Sequence, residues 1–491
     1  MNTEIQEKIN LAIVAYKLEK FDEAETLFEQ IIDKSSEKEE ILIQIFKIYY
    51  KFNDFEKAIK YISRAIELNQ TPDYCNILGN IYYDQKDYTK AKECFLKVLK
   101  VNPYNSDCLF KLGVACSSNL ELDEAIEYFN NTISLEPNDP INYYNLGLTY
   151  KNAYKFDKSI ECLVKAIKLK PNYPEAVTLL GKVFFQLGNF TDGWKLYEGR
   201  FYKSEGVDPI QSTKPEWDGS SLKNKTIYIQ REQGFGDCIM YARFIPWLSS
   251  LGKKVLFKVY PELEQLFRDS SLPAELVSES TPIESLEFDT HFSLASLARI
   301  YNVNEENMPC KNGYLKSNPD KVKKYRELYF NNDKFKIGIV WHCKTTFQVD
   351  KHRSIPDVSV LFPLVQIPNT KIYSLQKGVG VSQLDSLPEN MDIVNLGSTF
   401  NDFSDTAAAI ENLDLVVTVD TSIVHLAGAL GKDTIVMLDY LHDWKWMLDR
   451  DDCIWYKKMK LFKQDKPYNW EYVIDNVVQH IKFCRSNTSP T

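Results

Sequence analysis

The chain has 491 residues, 44% of them hydrophobic and 26% charged, with a formal net charge of −9. This length exceeds what one hydrophobic core supports, so we expect two or three domains. The mildly acidic balance argues against nucleic acid as the main partner. We find neither a signal-peptide pattern nor an apolar run long enough to span a membrane. Ten scattered cysteines without a C-x-x-C pair favour a reduced, cytoplasmic protein over a disulfide or zinc scaffold.

A repeat of about 34 residues fills the first two hundred positions. A small residue recurs once per unit, and a large apolar residue follows it four positions later. The small residues are Ala24, Ala58, Ala91, Ala125, Ser159 and Gly193. A small residue lets two helices approach closely, and the large one fills the space between them. The pattern resembles the tetratricopeptide repeat and predicts an α-solenoid of about six repeats over residues 1–201.

Such a solenoid presents a concave surface that commonly binds a peptide or protein. A rigid spacer or a dimerisation surface is the alternative interpretation. The last repeat is unusual because Gly193 precedes an aromatic stripe of Trp194, Tyr197 and Phe201. We expect this stripe to dock the solenoid onto the domain that follows a linker at 202–221.

A first α/β domain is predicted over residues 222–318. Its opening strand, 226–230, leads through Gly234 and Gly236 into a helix, and such a turn lets a ligand approach the backbone closely. There is no third glycine at dinucleotide-binding spacing. Asp237 has two interpretations: a carboxylate that suits the start of a helix, or a general base that faces a cleft.

A second α/β domain is predicted over residues 319–485, followed by a disordered tail at 486–491. Its strands alternate with helices, which indicates a parallel, doubly wound sheet. Cationic and polar residues at the ends of these strands suit an anionic, phosphate-bearing ligand. They are Trp341, His342, Lys344, Arg353, Gln376, Lys377, Asp420 and Thr421.

The run 414–432 contains the most informative of these strand ends. Residues 415–419 read as a strand buried on both faces, and Asp420, Thr421 and Ser422 are good residues to begin a helix. His425 then lies about one turn into that helix, near the same sheet edge. The alternative is an ordinary strand–cap–helix unit with a structural histidine.

Several runs together resemble the bacterial tetratricopeptide-repeat glycosyltransferases. These enzymes are similar to the lipopolysaccharide heptosyltransferases and, more distantly, to the protein O-GlcNAc transferases. The runs are Glu-Gln-Gly-Phe-Gly-Asp, Arg-Ser-Ile-Pro, Ser-Leu-Gln-Lys-Gly, Phe-Ser-Asp-Thr-Ala, Val-Asp-Thr-Ser-x-x-His-Leu-Ala-Gly-Ala-Leu-Gly-Lys and Asp-Trp-Lys-Trp-Met-Leu-Asp-Arg. The resemblance covers residues 190–470 in order and implies a GT-B fold, in which two Rossmann-like domains face a cleft.

The resemblance also implies roles for individual residues. Asp237 matches the aspartate proposed as general base in the heptosyltransferases. The second domain would bind the nucleotide-sugar donor, with one lysine or arginine as the main phosphate contact; Lys344, Lys351 and Arg353 compete for that role. The remaining donor-site candidates are Trp341, His342, Gln376, Lys377, Asp405, Thr406, Asp420, Thr421, Ser422 and His425.

We therefore expect an inverting, metal-independent glycosyltransferase with no cofactor besides its nucleotide-sugar donor. Cationic side chains and a helix N-terminus can stabilise the departing nucleoside diphosphate without a metal. The six repeats favour a protein acceptor modified on Ser or Thr. Two alternatives stay open: a lipopolysaccharide or capsule glycan acceptor, and a non-catalytic repeat scaffold with a degenerate transferase domain.

Overall fold

The computed structural model describes residues 3–202, 210–343, 352–388 and 390–488. The chain divides into two compact units, Met1–Ala176 and Val177–Thr491. The boundary falls near the start of helix Pro174–Gln186, so most of the sixth repeat belongs to the second unit, although the repeat pattern itself extends to residue 201. The boundaries at 221, 318 and 485 stay predictions.

The repeats form helical hairpins, as the sequence predicts. Six pairs of helices occur between residues 3 and 197: α1 (Thr3–Lys17), α2 (Phe21–Lys34), α3 (Lys38–Lys51), α4 (Phe55–Leu68), α5 (Pro72–Asp84), α6 (Tyr88–Val101), α7 (Ser106–Ser118), α8 (Leu122–Leu135), α9 (Pro140–Asn152), α10 (Phe156–Leu169), α11 (Pro174–Gln186) and α12 (Phe190–Tyr197).

Close packing within each hairpin explains the small residues of the pattern. Ala91 and Ala125 are completely buried. The glycines of the recurring Leu-Gly pairs are equally constrained, because a Cβ at Gly79 would lie 2.7 Å from a ring carbon of Phe95. A Cβ at Gly113 would lie at the same distance, 2.7 Å, from a ring carbon of Phe129. A side chain at either glycine would therefore push the two helices of the hairpin apart.

Each hairpin turns through one residue with a positive φ. These residues follow the repeat spacing, with φ values between 57° and 76°: Glu19, Asn53, Lys86, Leu120, Tyr154 and Gly188. Only the last is glycine, the residue that adopts this conformation without steric cost. The hairpin geometry therefore determines these turns, since neither Leu120 nor Tyr154 is a residue type that favours a positive φ.

The second unit continues from α11 and α12 into a four-stranded parallel sheet. Its elements are β1 (Thr226–Gln230), α13 (Phe235–Tyr241), α14 (Ile245–Leu251), β2 (Lys254–Lys258), α15 (Pro261–Asp269), β3 (Glu275–Val277), β4 (Thr290–Ser293), α16 (Leu297–Tyr301) and α17 (Pro319–Tyr329). The strand order is β3-β2-β1-β4.

A six-stranded sheet follows, and all of its strands are parallel. Its elements are β5 (Phe335–Val340), α18 (Phe362–Val365), β6 (Thr370–Ser374), β7 (Ile393–Asn395), α19 (Phe403–Glu411), β8 (Leu415–Val419), α20 (Ser422–Ala429), β9 (Thr434–Leu438), β10 (Met459–Lys463) and α21 (Trp470–Thr488). The strand order is β10-β9-β8-β5-β6-β7.

Both sheets follow the order typical of doubly wound nucleotide-binding folds. Numbered within its own sheet, the larger one has the order 3-2-1-4-5-6, and the smaller one has its first four strands, 3-2-1-4. In such folds ligands bind beyond the carboxyl ends of the strands, where the strand order reverses. That point lies between β1 and β4 in the first sheet and between β5 and β8 in the second.

Two details differ from the sequence prediction. The strands β3 and β10 were not predicted, and they lie at outer edges of the two sheets. The predicted disordered tail at 486–491 begins inside α21, which continues to Thr488; residues 489–491 lie outside the described part of the chain.

Candidate functional site

The helices that follow β1 and β8 meet at their N-terminal ends. A Cβ at Gly236 of α13 would lie 2.9 Å from Cδ2 of His425 and 3.3 Å from Cα of Ser422, both in α20. Only glycine fits this approach without displacement, so one glycine of the predicted turn serves helix packing. Gly234, two residues earlier, is the N-cap of α13 and faces more open space.

A partly buried cluster of charges joins the two sheets next to these helix ends. Nζ of Lys445 lies 3.2 Å from Oδ1 of Asp237, which follows β1, and 3.7 Å from Oδ1 of Asp443, which follows β9. Burial alone lowers the pKa of Lys445, but Asp237, Asp443 and Asp420 outweigh it and raise that pKa above its usual range. Burial opposes ionisation of Asp443, but Lys445 overcomes it and lowers the pKa of Asp443. Lys445 and Asp443 are therefore both charged at neutral pH.

His425 borders this cluster as a neutral ring. It is almost completely buried, Nδ1 lies 3.2 Å from the hydroxyl of Tyr456, and the ring stacks on Trp446. Burial, and then the positive charge of Lys445, lower the pKa of His425 to about 4. A neutral imidazole with one nitrogen near a tyrosine hydroxyl can donate or accept one further hydrogen bond.

Asp420 and Thr421 take the positions expected from the sequence. Thr421 is the N-cap of α20, and its hydroxyl accepts a hydrogen bond from the backbone N–H of Ile423 at 3.3 Å. Asp420 is buried, and its Oδ2 lies 3.4 Å from Nη1 of Arg353. Among the three candidates for the main phosphate contact, Arg353 is thus beside Asp420; Lys344 and Lys351 lie outside the described residues.

Gln376 and Trp341 have structural contacts that the donor-site prediction did not foresee. Oε1 of Gln376 accepts hydrogen bonds from the backbone N–H groups of Trp341 and His342, at 3.2 and 3.0 Å. Its Nε2 donates to the carbonyls of His342 and Val379. Trp341 is completely buried, and its indole N–H donates to Gln383. Gln376 therefore joins the ends of β5 and β6, and Trp341 belongs to the core.

Lys377, Asp405 and Thr406 also have protein partners. Nζ of Lys377 donates to the carbonyl of Phe400 at 2.6 Å. Asp405 forms a 2.8 Å ion pair with Lys321 of α17, and Thr406 donates to a backbone carbonyl of its own helix turn. These three residues lie around the start of α19. Their contacts named here involve neither Asp237 nor Lys445.

Lys445 and Asp443 are the site residues that the sequence prediction missed. Both belong to the Asp-Trp-Lys-Trp run, which follows β9, the neighbour of β8 in the sheet. The signal was available, because this run comes after the carboxyl end of a parallel strand at the same sheet edge. Residues 449–451 read Asp-Arg-Asp, so the chain contains an Asp-x-Asp pattern. The expectation of a metal-independent reaction therefore rests on the cationic groups alone and not on the lack of this motif.

Aromatic side chains of the last repeat surround the Lys445 segment. The ring of Trp444 stacks on Phe185 of α11 with centroids 4.1 Å apart, and it meets Trp194 and Tyr197 of α12 edge to face. Trp194 and Tyr197 thus contact the α/β region, and these contacts lie within the second unit. Phe201 instead lies under the guanidinium of Arg200.

Arg200 occupies the reversal point of the first sheet. Nη2 donates to Ser296, which follows β4, and lies 3.4 Å from Oε1 of Glu232, which follows β1. Glu232 also accepts a hydrogen bond from the backbone N–H of Ala295. The chain's own buried residues thus fill the crevice between β1 and β4.

One group of potential metal ligands occurs in the described residues, and it lies in the repeats. Cys116, Glu121 and Glu124 have ligand atoms within 4.8 Å of one another. Nζ of Lys92 lies 2.6 Å from Glu121 and 2.7 Å from Glu124, so an ammonium group already balances these carboxylates.

Comparisons with known proteins support the repeats. Models described as "Tetratricopeptide repeat" match residues 15–81 and 72–105, and a model described as "TPR repeat" matches residues 155–188. The helical hairpins are tetratricopeptide repeats. Among the described residues, no helix is long and apolar enough to cross a membrane.

Two curated relatives share parts of the sequence. Protein FlbA of Caulobacter vibrioides is 23% identical over 325 residues, which cover 61% of this chain and 54% of FlbA. The TPR repeat-containing protein MJ1428 of Methanocaldococcus jannaschii is 25% identical over 126 residues, covering 24% of this chain and 22% of that protein. The chain thus spans about half, or less, of the relatives it matches. The FlbA match is longer than the repeats, so it includes part of the α/β region.

Solved structures of MamA are similar to part of this chain. One covers 36% of this chain and all of MamA at 23% identity, with a TM-score of 0.33. MamA from Desulfovibrio magneticus RS-1 covers 33% of this chain and 93% of that chain at 21% identity, with a TM-score of 0.32.

Proposed function

We propose that the chain is an inverting, metal-independent glycosyltransferase of the GT-B type that uses a nucleotide-sugar donor. The observation that carries the proposal is the ion pair between Asp237 and Lys445, which joins the carboxyl edges of two parallel sheets. A transferase of this type needs a base from one domain beside a donor held by the other. The motif resemblance over residues 190–470 supports the same assignment.

The second sheet offers the groups that a departing diphosphate needs. The side chain of Arg353 is one-third exposed and lies beside Asp420, at the point between β5 and β8 where the strand order reverses. Helix α20 begins at the same point with Thr421 and Ser422. Backbone N–H groups at a helix N-terminus and a guanidinium both favour the negative charge that develops on the leaving group. Neutral His425 adds one hydrogen-bonding nitrogen without a charge.

The acceptor in this proposal is a Ser or Thr hydroxyl of a protein. Tetratricopeptide repeats commonly bind extended polypeptides, and five of them precede the α/β unit. A small sugar acceptor would fit within one cleft and would not need that surface. A lipopolysaccharide or capsule glycan is the alternative acceptor.

A second candidate function is a non-catalytic scaffold in which the repeats bind partners. Contacts in the predicted donor site favour it, because Gln376 and Lys377 are already hydrogen-bonded to protein groups. In that case the charged cluster around Lys445 would stabilise the packing of the two sheets and do no chemistry.

The decisive experiment measures nucleoside diphosphate release from a panel of nucleotide sugars, with and without candidate protein acceptors. We expect release from one donor class, and Asp237→Asn should lower kcat about 100- to 10,000-fold while donor affinity persists. No release from any donor would favour the scaffold. Loss of less than about threefold in Asp237→Asn would leave Asp237 as a structural residue.

A deletion variant tests the acceptor. Removal of residues 1–170 retains α11 and α12, which pack on the α/β core. We expect this variant to hydrolyse donor at the full rate and to lose transfer to protein. Full transfer to the protein acceptor would show that the repeats do not select it.

A further inference from the structure

We infer that Lys445 is a positioning residue for the proposed base: it holds one oxygen of Asp237 so that the other receives the acceptor's proton. This inference rests on the proposed function. It assigns different tasks to the two carboxylate oxygens of Asp237, and it gives the Asp-Trp-Lys-Trp run a direct part in the reaction.

The two oxygens of Asp237 have different surroundings. Oδ1 accepts from Nζ of Lys445 at 3.2 Å. Oδ2 points toward Gly234, where an added Cβ would lie 3.7 Å away. Among the described residues, no group donates a hydrogen bond to Oδ2, and the Asp237 side chain is 37% exposed. Oδ2 is therefore the oxygen that an acceptor hydroxyl can reach, over a glycine that leaves space for it.

Lys445 is itself firmly held. Its side chain is only 16% exposed, and a second carboxylate, Asp443, lies 3.7 Å from Nζ. Its backbone N–H donates to Asp443, and its carbonyl accepts from the indole N–H of Trp455 at 3.0 Å. The ammonium group thus has a fixed position from which to orient Asp237.

The residues on either side of Lys445 are also packed. Trp444 stacks on Phe185 of the last repeat, and Trp446 stacks on His425 of α20. The position of the ammonium group consequently depends on the last repeat and on the helix that begins at the proposed donor site. Misplacement of a reacting group by about 1 Å can cost roughly 100-fold in rate, so such support matters.

The step can be written with all atoms accounted for. The acceptor oxygen forms a bond to the anomeric carbon, and its proton passes to Oδ2 of Asp237. The bond from that carbon to the diphosphate breaks, and its electron pair leaves with the nucleoside diphosphate. Lys445 keeps its proton throughout, because its task is to hold Oδ1 in place.

The experiment compares Lys445→Met and Lys445→Arg with Asp237→Asn and the double variant Asp237→Asn/Lys445→Met. We expect Lys445→Met to lower kcat for transfer about 10- to 100-fold, with donor affinity by calorimetry changed less than about twofold. Lys445→Arg retains the charge and should keep more activity. The double variant should be no more than about twofold slower than Asp237→Asn, because Lys445 acts through the carboxylate that is already lost.

Lys432→Met is the matched control, since Lys432 is another partly buried lysine, lies just before β9 and donates to the carbonyls of Glu411 and Leu413. Its transfer rate should equal that of the unmodified chain. If Lys445→Met does not fold, which tryptophan fluorescence would reveal, the comparison of Lys445→Arg with its own Asp237→Asn double variant replaces it.

Four results would overturn the inference. Transfer by Lys445→Met at the full rate, while Asp237→Asn is impaired, would remove Lys445 and leave the proposed function intact. Losses that multiply in the double variant, or a loss of donor affinity with kcat unchanged, would give Lys445 a separate task. No turnover by the unmodified chain with any donor would overturn the proposed function and this inference together.

Discussion

Replacement of Gly236 by alanine tests the contact between the helices that follow β1 and β8. The new Cβ would lie 2.9 Å from the His425 ring and 3.3 Å from the backbone Cα of Ser422. The ring cannot move aside freely, because it stacks on Trp446 and contacts Tyr456. Overpacking of this kind costs about 1–3 kcal/mol, and alanine regains about 0.5–1 kcal/mol of helix preference. Gly236 lies in the first turn of α13, where the lower end of that gain applies, so we expect a net loss of about 0.5–2.5 kcal/mol in the free energy of unfolding.

Gly234→Ala is the matched comparison. A Cβ there has no neighbour closer than Oδ2 of Asp237 at 3.7 Å, and the backbone angles of Gly234 are accessible to alanine. Its stability should change by less than about 0.5 kcal/mol, as is usual for substitutions without a clash. Transfer should nevertheless fall, because the methyl group occupies the space through which an acceptor would reach Oδ2.

Urea titration followed by tryptophan fluorescence measures both variants in the full chain. All eight tryptophans lie at or beyond residue 194, so their fluorescence reports on the second unit alone. Equal stability of Gly236→Ala and the unmodified chain would refute the claim that this glycine is required for the approach of α13 and α20. A large loss in Gly234→Ala would show that the space around Oδ2 is not open.

Three further predictions concern the second sheet. Thr421→Ala removes the N-cap of α20 at a cost of about 1 kcal/mol, and both it and Lys377→Ala should weaken donor binding by calorimetry; unchanged affinity in both would remove this edge as the donor site. Transfer should persist in excess EDTA, because the proposed charge-stabilising groups are cationic side chains and backbone N–H groups; loss in EDTA and recovery with a divalent ion would contradict this. His425 should lower the free energy of unfolding by about 2.5 kcal/mol as the pH drops from 6.5 to 4, since unfolded chains protonate this ring around pH 6.5 and the folded chain only around pH 4. His425→Gln should flatten this part of the profile, and an unchanged profile would mean that the ring is not buried in its neutral form.

The sequence was most informative where structure follows from local pattern. The spacing of small and large residues predicted the six hairpins, because each pair packs within one repeat. The positive φ at Leu120 and Tyr154 could not be predicted, since neither residue type favours it. The edge strand β3 has only three residues, which is too short to show a pattern.

The sequence indicates which strand ends carry the candidate residues better than it indicates the contacts of their side chains. Parallel strands place their ends at one edge, and this rule put Asp420 and His425 at the carboxyl end of β8. It does not say which way a side chain points, so Gln376 and Trp341 were assigned to a ligand although they bind protein groups. Lys445 follows the end of β9, so the same rule could have marked it, but its contact with Asp237, 208 positions away, follows from no local pattern.

The packing of the last repeat on the α/β core has a consequence for how the chain can change in length. Repeats in a solenoid contact mainly their neighbours, so whole units can be gained or lost in evolution. The sixth repeat, at 174–197, is an exception, because Phe185 and Trp194 are part of the core that contains Trp444. The number of repeats that precede the sixth can therefore vary in steps of about 34 residues. The sixth repeat itself must be inherited together with the α/β region.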